Sequence, residues 1–131
     1  MIKRHQVKVS AEALRKHAED SDLAAKFDDL LAAAREAERE LRDAEVRRMP
    51  VTDVRRLALR FDAALTDAMR AGYAAERAAI GPRGYDDRIF RRKAKAKPGV
   101  RALTAEAERL LTLRESHRLN GIPPAPLDQM A

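Results

Sequence analysis

Apolar positions in this chain fall into two long stripes separated by a proline. Leu23, Phe27, Leu30, Ala34, Ala37, Leu41 and Ala44 recur at alternating intervals of four and three, as do Val54, Ala58, Phe61, Leu65, Ala68, Gly72, Ala75 and Ala79. This spacing places each set on one seam of an α-helix, with Asp, Glu, Arg and Lys covering much of the remaining surface. The first stripe predicts a helix capped at Ser21 or Asp22 and running to about Arg48. Met49-Pro50-Val51 interrupts it, because proline has no amide proton and clashes with the preceding turn. Thr52 offers a new N-cap with Asp53 in the first turn, and Gly81-Pro82 stops the second helix. Two helices of similar length with a short connector predict an antiparallel hairpin over residues 21–80.

The flanking segments are weaker. Ile2 to Val9 alternates partially and carries β-branched residues, so an extended arm is expected, followed by a short helix from Ala11 to about Ala18 capped by Ser10. Together these form an N-terminal unit over 1–20. A final helix is expected from about Thr104 to Leu119, with Leu103, Leu110, Leu111, Leu113 and Leu119 on a broad apolar face. Asn120-Gly121 closes that unit, 104–121. The Pro-rich tail, 122–131, cannot continue as a helix, and its spaced Ile122, Leu127 and Met130 suit docking in extended form against a partner. The expected fold class is therefore all-α: a long antiparallel helical hairpin with shorter flanking helices, a basic loop and extended terminal segments.

Composition thins the expected core. Of 131 residues, 45% are classed as hydrophobic, but 26 of those 59 are alanine. The hairpin is expected to pack through Leu23, Phe27, Leu30, Leu41, Val54, Phe61, Leu65 and Gly72. Small seam residues allow close helix approach but bury less area per layer than leucine. An outer stripe of Leu31, Leu57, Leu59 and Met69 then calls for another element or another subunit, which points to a homo-oligomer or a larger protein assembly.

Charge adds a local feature. The chain has 27 Lys and Arg against 21 Asp and Glu, a net +6, and residues 81–100 hold seven of the bases and only two of the acids. Three of the five glycines lie between 81 and 99, so residues 81–103 are expected to form a flexible basic loop. Arg88, Arg91, Arg92, Lys93, Lys95 and Lys97 are the candidates for contact with nucleic acid or with an acidic partner. Tyr85 and Phe90 are candidates for stacking on unpaired bases or for anchoring the loop. Lysines that alternate with alanine read as an electrostatic arm rather than a base-specific surface.

Candidate chemistry is sparse, and no enzyme is expected. There is no cysteine, hence no disulfide and no thiolate nucleophile or ligand, and His5, His17 and His117 stand alone. Neither a metal site nor a cofactor is expected. Asp28-Asp29 reads as a solvated helix face, and Asp86-Asp87 as local charge compensation or capping. Glu115 and His117 are two apart, a spacing that does not face one another on a helix. No stretch is apolar enough to span a bilayer, and no apolar h-region follows the basic start, so a cytoplasmic or virion-associated location is expected. The functional expectation is a structural protein that organises a multi-subunit complex. Bacteriophage connector and head-completion proteins share those requirements at the level of architecture. The alternative is a nucleic-acid-binding accessory or packaging protein that uses residues 88–97.

Overall fold

The computed structural model describes residues 8–127. Among them the chain forms six helices and no strand: α1 (Ala11–Ala24), α2 (Phe27–Val46), α3 (Val51–Ile80), α4 (Arg83–Asp86), α5 (Arg88–Lys95) and α6 (Pro98–Asn120). The all-α expectation holds. Residues 1–7 of the expected arm and Met130 of the tail lie outside the described residues.

α3 is the axis. Its 30 residues span about 45 Å, and α1, α2 and α6 all pack along it. Direction can be read from the cross-helix contacts. Arg60 pairs with Glu40, a Cβ on Gly72 would lie against Phe27, and Arg77 pairs with Asp20. As the number on α3 rises, the number opposite falls, so α1 and α2 together run antiparallel to α3. The same holds for α6, where Ala58 faces His117, Thr66 faces Arg114 and Glu76 faces Thr104.

The main core lies where α2, α3 and α6 meet. Ala34, Ala37, Leu41 and Ala44 pack with Leu57, Ala58, Phe61, Leu65, Ala68 and Leu110. Phe27, Leu30 and Val54 lie partly buried against this cluster, as does Ile122. Alanine and glycine set the spacing: the Cβ position at Gly72 lies 3.2 Å from Phe27 and 3.4 Å from Ala107. Leu57 and Met69 of the expected outer stripe are covered from within the chain, whereas Leu59 remains exposed. Leu110 is the buried leucine of the expected α6 face, and Leu113 and Leu119 remain exposed.

Several boundaries differ from expectation, each for a local reason. α1 continues to Ala24, and the Ser21 hydroxyl donates to the His17 carbonyl one turn back, at 2.8 Å, so it does not cap a new helix. Leu23 therefore belongs to α1, half-buried, and not to the α2 seam. α3 starts at Val51, where the Pro50 carbonyl accepts from Asp53 and Val54, so Thr52 lies inside the first turn. Beyond Gly72 the buried positions of α3 shift to Ala74, Glu76 and Ile80 instead of Ala75 and Ala79, since a 3.6-residue helix drifts from a strict heptad. Gly81 ends α3 as expected, with φ 100°, a backbone region suited to glycine.

The largest difference is the basic segment, which is helical rather than a loop. Asp87 caps α5 by accepting the Phe90 amide at 2.9 Å, and Pro98 occupies the first turn of α6, where its missing amide proton costs nothing. α6 thus begins six residues before the expected Thr104. In the tail, Ile122 docks onto the core and Arg55 donates to the Pro123 carbonyl at 2.6 Å. Leu127 does not dock: it is 87% exposed.

Candidate functional site

The site is built on α5, and two apolar side chains hold that helix in place. Phe90 and Ala94, one turn apart, pack with Ile80 of α3 and Val100 of α6 in a second small core. The Arg83 guanidinium covers the outer face of the Phe90 ring at 4.6 Å and lies 3.4 Å from the Asp87 carboxylate. Residues on the opposite side of an eight-residue helix anchored this way must face solvent.

The six expected cations separate into two groups. Arg91 and Lys95 work within the fold. Arg91 donates to the Gly84 carbonyl at 3.1 Å, and the Lys95 ammonium lies 3.8 Å from Glu76. Glu76 is only 5% exposed, and Lys95 is its counter-ion while the Thr104 hydroxyl donates to it. Arg88, Arg92, Lys93 and Lys97 are exposed, and among the described residues none of them has a carboxylate at ion-pair distance. Arg88 and Arg92 are one turn apart and share a face; Ile89 and Lys93 share the next. With Asp86, Ile89, Arg91 and Lys95, the two exposed arginines line a broad open hollow of about 830 Å³.

The two acids of the segment are already committed. Asp86 accepts from the Ser10 amide at 2.7 Å and from the Ser10 hydroxyl at 2.8 Å, which joins the rim of the hollow to the start of α1. Those bonds, backbone first, hold its carboxyl below the usual range. Asp87 is lowered in the same way, chiefly by the Phe90 amide with Arg83 assisting. Both carboxylates have hydrogen-bond partners inside the chain, and neither lies at ion-pair distance from Arg88, Arg92, Lys93 or Lys97.

Neither aromatic ring is presented for stacking. Phe90 is the anchor described above. The Tyr85 hydroxyl donates to Asp20, which also receives both ends of the Arg77 guanidinium at 2.8 and 3.0 Å. Burial and the bond to Asp20 push the Tyr85 phenol up, so it stays protonated as a donor. This Asp20–Arg77–Tyr85 group ties α1, α3 and α4 together and was not visible in the sequence. Its partners are 57 and 65 residues apart, and no spacing rule connects them.

The histidines that fall among the described residues have structural partners. His17 Nε2 lies 3.1 Å from the Ala78 carbonyl, and His117 Nε2 lies 2.7 Å from the Ala58 carbonyl. His117 is buried, edge-on to Phe61 at 4.7 Å. Asp28 and Asp29 are exposed in the first turn of α2. What the arrangement on α5 offers chemically is a set of fixed, solvated cations able to hold anionic groups. No protein-family model matches the chain, and comparison with curated proteins and with solved structures returns no match either.

Proposed function

We propose that the protein is a non-enzymatic structural protein that joins a larger assembly by docking an acidic partner on the exposed face of α5. One observation carries this reading: Arg88, Arg92, Lys93 and Lys97 project from a packed helical frame with no acidic side chain of the described chain paired to them. A cation with an internal partner serves stability. Four without one, fixed at the same end of a rigid bundle, concentrate field where a negative surface can meet it. The helices supply the spacer, and α5 supplies the contact.

Retention of the full chain on immobilised heparin, a generic polyanion, tests this. The triple variant Arg88→Glu, Arg92→Glu, Lys93→Glu is expected to elute at much lower salt than the natural chain, with an unchanged helical circular-dichroism spectrum. The control is Arg56→Glu with Arg70→Glu, two exposed arginines of α3. It is expected to retain most of the binding. Equal loss in both variants would mean that retention follows net charge alone, and the docking reading would fall.

A further inference from the structure

We infer that the acidic partner of α5 is the phosphate backbone of a double-stranded nucleic acid, contacted without regard to base sequence. This rests on the docking reading above and adds the identity of the partner. Three features of the helix separate a duplex from the other acidic surfaces a protein meets.

The first is what α5 does with its apolar side. A helix that lies on an anionic membrane must turn its apolar stripe toward the lipid. Here Phe90 and Ala94 point into the protein against Ile80 and Val100, and Ile89 is the one large apolar side chain on the exposed part of α5, at 69% exposure. A protein partner would likewise use an apolar or aromatic centre ringed by polar groups, and a lone isoleucine is too little for one.

The second is what the exposed residues can and cannot read. From Arg88 through Leu103 there is no Asn, Gln, Ser, Thr, Asp or Glu. Adenine and cytosine edges are read by side chains that accept as well as donate, so this segment lacks the usual readers of those bases, whereas phosphates need only cations. Arginine's planar fork suits phosphate oxygens, and Arg88 and Arg92 present two such forks one turn apart. Over the roughly 12 Å length of α5, a duplex carries roughly seven phosphates. Three unpaired cations on that length, with Lys97 just beyond it, meet a surface that is dense in the complementary charge.

The third concerns strandedness. Proteins that hold single strands combine a basic groove with aromatic rings on which bases stack. Both aromatic side chains of this segment are tethered: the Tyr85 hydroxyl is bonded to Asp20, and the Phe90 ring is sandwiched between Arg83 and the small core. Backbone contact alone favours the form in which phosphates are regularly spaced and the bases are enclosed, which is the duplex.

Fluorescence anisotropy of the full chain with labelled duplexes of about 20 base pairs decides the matter, using DNA and RNA duplexes in separate arms and two unrelated sequences of each. The expected result is binding that ignores sequence, with log affinity falling linearly in log salt at a slope of about −2 to −4, for two to four phosphates neutralised. Arg88→Ala with Arg92→Ala should weaken duplex binding by roughly tenfold or more and make the slope shallower by about 2, while Arg56→Ala, an exposed arginine of α3 away from the hollow, should leave the slope unchanged. The DNA and RNA arms identify which duplex is held. Several results would overturn the assignment: no duplex binding, a slope unaffected by the double variant, tighter binding to a single strand, or tighter binding to phosphatidylserine vesicles or poly-glutamate. If heparin retention still depends on α5 in that case, the docking reading survives and only the partner is wrong. Loss of α5-dependent retention removes both.

Discussion

Arg48 shows how much a single backbone angle can cost. It closes α2 with φ 51°, while its own amide bonds to Glu45 and the Met49 amide reaches back to Ala44 at 3.1 Å. That pattern satisfies the last carbonyls of the helix but needs a left-handed residue, for which glycine is the usual choice. An arginine there carries a steric penalty that glycine lacks. Arg48→Gly is therefore expected to stabilise the chain by about 0.5–1 kcal/mol, read as a higher denaturant midpoint at constant slope. The opposite effect is expected at Gly81, whose φ of 100° leaves no room for this gain. At Gly121, the obstacle is contact rather than φ: an added Cβ would fall 2.2 Å from His117 Nδ1. None of these angles is legible in a sequence, where Arg48 looks like an ordinary helix-end cation.

At the scale of elements, long stripes were readable and short polar joints were not. The seam from Ala34 to Ala44 packs against Leu57 to Ala68 as its spacing implies, because periodic burial of a face is what forms a long helix. The basic segment reads as a loop from its glycines and alternating lysines, yet it is helical. The counter-signals were present: Asp87 at a cap position, eight residues free of Gly and Pro, then Pro98 at a helix start. Of the candidate site, the cations themselves were legible, but their division was not, since Glu76 and Gly84 recruit Lys95 and Arg91 only once α5 lies beside α3 and α4. Two ion pairs also join elements. Burial alone would raise the Asp20 carboxyl, but bonds from Arg77 and Tyr85 outweigh it and hold it below 3.8. The bond from Arg118 lowers Asp62 in the same way, against a smaller opposing effect of burial. A carboxyl lowered in the folded state contributes stability that is complete above its unfolded value and is lost as pH falls through the folded one. Stability should decline below about pH 4, and Asp20→Asn with Asp62→Asn should flatten that acid limb while lowering stability at neutral pH. Urea titrations across pH 2–7 would show it. An unchanged acid limb would remove these pairs from the account.

At the scale of the whole molecule, the chain is a frame with α3 as its axis and charge gathered at one end. The alanine seams implied a thin hairpin that needs cover, and α6 supplies part of it within the same chain: Leu110 enters the main core and Ala107 meets Gly72. The far end of α3 uses different means: a small apolar cluster and the Lys95–Glu76 pair hold α5, and Asp20, bonded to both Arg77 and Tyr85, holds α4. Function on this account depends on that pinning. A mobile basic loop would spread its charge over many conformations, whereas a fixed helix presents Arg88 and Arg92 together and ties Arg91 to Gly84 and Lys95 to Glu76. Hydrogen exchange of the full chain, resolved at the amides of residues 91–96, tests this most directly. The account predicts exchange slower than in an unstructured peptide by about tenfold or more, because these amides are bonded in or at the end of α5. Exchange at the unstructured rate, with α3 and α6 still protected, would contradict it.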